Sequence, residues 1–105
     1  MNYEFNLVFD DIILKQLQKA AKNQAVKQIL IKMLDKIEIL GPNAGKLLDS
    51  KLFIYETKNK HPPIRLYFKY NLINNEIYIF EYEMKTSKKE QNKTLNRIRK
   101  KASES

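Results

Sequence analysis

Between Leu52 and Tyr70 the chain alternates apolar and polar residues in two short runs with a polar break between them. Leu52-Phe53-Ile54-Tyr55-Glu56-Thr57-Lys58 and Ile64-Arg65-Leu66-Tyr67-Phe68-Lys69-Tyr70 have the period of strands, whose side chains point to two faces in turn. In the second run Ile64, Leu66, Phe68 and Tyr70 share one face, and Arg65, Tyr67 and Lys69 the other. In the first, Glu56 and Lys58 lie on the same side. A hairpin turning through Asn59-Lys60-His61-Pro62-Pro63 brings Lys58 and Arg65 to neighbouring positions on one small sheet.

The rest of the pattern surrounds this hairpin with three helices and two further strands. Tyr3, Phe5, Leu7 and Phe9 predict a first strand with one buried face. Asp10 or Asp11 caps a helix running to about Lys22, with Ile13, Leu14, Leu17, Ala20 and Ala21 as its inner stripe. Asn23 breaks it. From about Gln24 to Leu40, Val26, Ile29, Leu30, Met33, Leu34 and Ile37 recur at the three- and four-residue intervals of an amphipathic helix. Gly41-Pro42 stops that helix, Gly by its left-handed freedom and Pro by its missing amide hydrogen. Residues 43–50 read as a connecting loop with Leu47 and Leu48 dipping into the core. A turn falls near residues 71–75. A last strand follows from about Glu76 to Met84, with Ile77 and Ile79 on one face and Tyr78, Phe80 and Tyr82 on the other. Its first half is apolar on both sides, which predicts cover on both. A basic helix at residues 88–101 ends the pattern, and its sparse stripe of Leu95, Ile98 and Ala102 predicts loose docking or support from a partner. The expected architecture is α+β: an N-terminal strand, an antiparallel two-helix hairpin, a three-stranded antiparallel meander and a basic C-terminal helix. All of it belongs to one domain, residues 1–105.

Composition narrows the class of function. No apolar run is long enough to cross a bilayer, and the opening Met1-Asn2-Tyr3-Glu4 is unlike a signal peptide. Without Cys, neither a disulfide framework nor a thiolate metal site can form, and a reducing cytoplasm is compatible. One His and no cluster of carboxylates predict no metal and no cofactor. The net charge of +8 is unevenly spread: from Lys85 to Lys101 eight basic residues face Glu90 alone. Such asymmetry favours a polyanionic partner, although a solvated helix face is the plainer explanation.

Charge and pattern together single out a few side chains. A guanidinium grips two phosphate oxygens at once, so Arg65 is the first candidate for an anion site; an ion pair with Glu56 or Glu81 is the alternative. Lys58, set among cations, is a candidate base. Glu56 either accepts a proton itself or acts as a counter-ion that keeps Lys58 charged, and these roles oppose each other. His61, the one imidazole of the sequence, is a candidate proton donor, or simply an exposed turn residue. Tyr67 shares the Arg65 face and offers a stacking surface for a base, or else covers the sheet.

The order of elements, together with Lys46-Leu47-Leu48, Tyr55-x-x-Lys58, Ile64-Arg65-Leu66-Tyr67, the strand through Ile79-Phe80 and the basic terminal helix, resembles the RelE/ParE superfamily of toxins. The likeness is to RelE-like and HigB-like members. It implies a β-α-α-β-β-β-α fold and a toxin of a type II toxin–antitoxin system. It also implies a ribosome-dependent, metal-independent endoribonuclease in which the ribose 2′-hydroxyl attacks the adjacent phosphate. In that scheme Arg65 stabilises charge on the scissile phosphate, Lys58 or Glu56 handles the hydroxyl proton, and His61 is a candidate acid. Lys60, Tyr67, Lys69, Lys85, Lys88, Lys89 and Lys93 would contact RNA. The implied partners are a cognate antitoxin, the ribosome and messenger RNA. The chain departs from the family by having no Tyr or His after Met84. A gyrase-poisoning toxin of the ParE kind and a non-catalytic RNA-binding domain are the alternatives.

Overall fold

Asp10 is extended (φ −61°, ψ 136°) and its Oδ1 accepts the amide hydrogens of Ile12 and Ile13, starting α1 (Asp11–Ala20). Residues 5–84 and 98–103 are described by this computed structural model. Asn23 does more than interrupt the helices: its Oδ1 accepts from Ala25 and Val26 and so caps α2 (Gln24–Leu40). That second helix ends at Gly41, whose φ of +59° lies in the left-handed region. A Cβ at Gly41 would also sit 2.4 Å from the ring of Phe5, so both the turn and the close approach need glycine. Pro42 then leads a single 3₁₀ turn, Gly41–Ala44.

Five strands form one sheet in the order β1-β5-β4-β3-β2. They are β1 (Asn6–Phe9), β2 (Lys46–Asp49), β3 (Ile54–Asn59), β4 (Ile64–Asn71) and β5 (Glu76–Glu83). β1 runs parallel to β5, and the other neighbours are antiparallel. The segment expected as a loop at residues 43–50 therefore contains a short edge strand, with Lys46 opposite Glu56 and Leu47 opposite Tyr55. Gly45 permits this pairing, since a Cβ there would lie 2.4 Å from the carbonyl oxygen of Glu56. Leu47 is 46% exposed and stays out of the core, contrary to expectation; Leu48 packs on the far side of the sheet.

α1 and α2 cover one face. Ile13 and Leu17 from α1, and Val26, Leu30, Met33 and Ile37 from α2, close over Ile64, Leu66, Phe68, Ile77 and Ile79. Phe5, Leu7 and Phe9 pack at the side of this core as their alternation predicts, whereas Leu14, expected in the inner stripe, is exposed. The other face carries a smaller core of Ile54, Tyr67 and Phe80, closed by Ile98 and Ala102 from α3, helical at residues 98–103. The Lys101 ammonium donates to the carbonyl oxygen of Phe80 at 2.8 Å, Lys69 donates to that of Ala102, and Arg99 faces Asp49 at 3.4 Å. The earlier part of the expected basic helix, from residue 88 to residue 97, lies outside the described residues. No described helix is long and apolar enough to cross a membrane.

One irregularity decides which side chains face α3. Phe68 pairs with Ile79 but Tyr67 pairs with Glu81, so Phe80 is an extra residue in β5, a β-bulge. The extra residue reverses the alternation beyond it. Tyr82 crosses to the core under α1 and α2, rather than staying with Phe80 as simple alternation predicts.

Candidate functional site

The register places three rows of side chains side by side on the α3 face, each taken from β3, β4 and β5 in turn. Lys58, Arg65 and Glu83 form the outermost row; Glu56, Tyr67 and Glu81 form the next. Ile54, Lys69 and Tyr78 form the third. Lys58 and Arg65 are thus direct cross-strand partners, at the end of the sheet next to the β3–β4 turn. Lys58 is exposed, and the Arg65 side chain is four-fifths covered, at 20% exposure.

Arg65 does meet a carboxylate, but not one expected from the pattern. Its Nη1 lies 3.7 Å from Oε1 of Glu83, whereas Glu56 and Glu81 belong to the neighbouring row. The Tyr67 hydroxyl donates to the same Glu83 oxygen at 3.2 Å. Burial, and then the negative charges of Glu83 and Glu56, push the Tyr67 pKa far above that of an ordinary phenol. The hydroxyl therefore remains a donor throughout the working pH range, and Glu83 clamps a guanidinium and a phenol together. A guanidinium carries five N–H donors, so one contact with Glu83 leaves others for an incoming phosphate.

Glu56, Glu81 and Glu83 are each at least nine-tenths buried, and none of the three is without a partner. The site is therefore mixed in sign: Glu56, expected beside the cations, is joined on this face by Glu81 and Glu83. Sequence reasoning passed over Glu83 because strict alternation in the last strand assigns it to the opposite face. The available signal was the unbroken apolar run Ile77-Tyr78-Ile79-Phe80 followed by renewed alternation, which marks a change of phase at Phe80.

The other sequence candidates fare unequally. Lys60 and His61 are exposed at the β3–β4 turn, which is braced by a 3.0 Å bond from Asn59 Nδ2 to the carbonyl oxygen of Pro62. Tyr67 has no exposed surface, so with α3 docked its ring is not open to a stacked base. Lys69 lies two rows from Arg65 and donates to the Ala102 carbonyl oxygen of α3. Lys85, Lys88, Lys89 and Lys93 lie outside the described residues. Among the described residues no group of His, Asp and Glu is arranged to hold a metal ion.

No protein-family model matches the sequence, and no curated protein does. Among solved structures, the isolated E. coli RelE toxin is similar over 90% of this chain and 99% of that one, with a TM-score of 0.64 at 19% identity. The likeness is one of fold: the chain has the RelE-like α+β architecture that its order of elements predicted, with β2 as an additional strand.

Proposed function

We propose that this chain of RelE-like fold is the toxin of a type II toxin–antitoxin pair, a metal-independent endoribonuclease that cuts messenger RNA in the ribosomal decoding site. The observation that supports it most is the direct cross-strand pairing of Lys58 with Arg65, which roots both cations on one sheet face. In the reaction the ribose 2′-hydroxyl oxygen bonds to the adjacent phosphorus as the bond from phosphorus to the 5′-oxygen breaks. A 2′,3′-cyclic phosphate and a free 5′-hydroxyl result. Lys58 or Glu56 accepts the 2′-hydroxyl proton, and His61, exposed on the adjoining turn, is the side chain available to protonate the leaving oxygen. Arg65, held by Glu83, stabilises the charge that grows on the phosphoryl oxygens. The protein works in the cytoplasm, and its antitoxin presents acidic residues to the basic surface.

The test is induction of the wild-type chain and of Arg65→Ala in cells, followed by mapping of messenger RNA 5′ ends. Wild type produces codon-phased cuts, and Arg65→Ala reduces them about 100-fold or more, the usual effect of losing one charge-stabilising donor. Cuts that persist undiminished in the variant would remove Arg65 from the chemistry. Intact transcripts with arrested replication would instead identify a gyrase poison of the ParE kind.

A further inference from the structure

On the opposite side of the sheet from Arg65, a shallow cavity of about 700 Å³, wide open to solvent, lies between the α1–α2 turn and the end of β5. Its size is that of a small-ligand site. Ala20, Val26, the Tyr82 ring and Met84 supply an apolar and aromatic floor. Lys19 and Lys22 stand at the rim, exposed, and neither ammonium has an ion pair among the described residues. From Ile12 to Leu34 the sequence holds five lysines and no acidic residue, so nothing nearby on the helices neutralises that rim.

The polar groups present suit recognition as well as attraction. Asn23 spends its Oδ1 on the α2 cap, which leaves its amide NH₂ as a donor. Gln16 is exposed and offers both a donor and an acceptor. Tyr82 is here only because the bulge at Phe80 sends it to this side; its hydroxyl makes no hydrogen bond to the described residues. Burial raises its pKa, so the hydroxyl is protonated and the ring uncharged at neutral pH.

We propose that this cavity binds a nucleoside phosphate, either free or as one unit of an RNA strand. The base lies on Tyr82, Val26 and Met84, the amides of Gln16 and Asn23 meet its edge, and the phosphate bridges Lys19 and Lys22. This site stands apart from Lys58 and Arg65 and does not depend on RNA being cleaved.

The experiment is a titration of the full chain carrying Arg65→Ala, which keeps RNA intact, followed by NMR of backbone amides. The probes are AMP, UMP, a six-residue oligoribonucleotide, inorganic phosphate and hexaglutamate. Shifts at Lys19, Lys22, Val26 and Tyr82 with a mononucleotide support a site for the free ligand; the same shifts with the oligomer alone support a site for RNA. Lys19→Ala with Lys22→Ala weakens binding about tenfold and, for the oligomer, lowers the salt slope by about 0.7, the share of one phosphate. The control pair Lys32→Ala with Lys36→Ala, of equal charge loss on α2, leaves binding unchanged. Equal weakening by both pairs would overturn the proposal in favour of diffuse attraction. Inorganic phosphate binding as tightly as nucleotide, or hexaglutamate shifting these amides while no nucleotide does, would overturn it too.

Discussion

Asp10 accepts two α1 amide hydrogens through one oxygen and the Tyr78 hydroxyl through the other, and that second oxygen lies 3.7 Å from the Lys101 ammonium. Burial works against its charge. The Ile13 amide, Lys101, Tyr78 and the Ile12 amide together outweigh it and pull the Asp10 pKa below the ordinary carboxylate value. A carboxyl whose pKa is lower folded than unfolded adds stability that is full above its unfolded pKa and is lost as pH falls through the folded one. Asp10→Asn keeps a capping oxygen and removes the charge. At pH 7 the variant is less stable by about 0.5–1 kcal/mol, a range set by a partly exposed ion pair, and the gap closes below about pH 4. Urea unfolding of both proteins across that range measures it. A gap that does not change with pH would mean the charge contributes nothing.

Elements were legible wherever several local signals coincided. α2 occupies the span expected, Gln24–Leu40, because apolar spacing, an Asn cap and a Gly stop all agree. β2 was not, because four residues carry too little alternation and its pairing depends on the bare backbone of Gly45 meeting β3. The bulge in β5 left only an indirect trace, the apolar run ending at Phe80, because the extra residue is defined by its pairing with β4. The terminal helix was rightly marked as sparse in apolar residues, yet the two it offers here are buried, Ile98 wholly and Ala102 nearly so. Ile98→Ala should therefore lower stability by about 2–4 kcal/mol in urea unfolding, the range for truncating a buried aliphatic side chain. An unchanged midpoint would mean that α3 docks without stabilising the domain.

At the scale of the whole molecule, part of the positive charge is structural. Arg99 and Lys101 hold α3 against Asp49, Asp10 and the Phe80 carbonyl, while Lys100 is left exposed. Counting lysines and arginines along the sequence cannot separate these uses, because the acidic partners lie about 50 and 90 residues away. The pairing of Lys58 with Arg65 was legible for the opposite reason: both lie on one short hairpin whose register follows from its own alternation. The charges left on the surface should still govern RNA binding. Three phosphate contacts would lower affinity for a single-stranded oligoribonucleotide at least tenfold between about 50 and about 200 mM salt. Fluorescence anisotropy tests this, and a flat response would argue against a backbone-led interface. The parallel strand at the sheet's edge also has a temporal consequence. β1 is made well before its hydrogen-bonding partners, residues 76–79. A nascent chain thus carries an unpaired β1, and helices lacking part of their floor, until β5 has been synthesised. Closing so long a loop comes late in folding, so the sheet is completed only once β5 is available to β1.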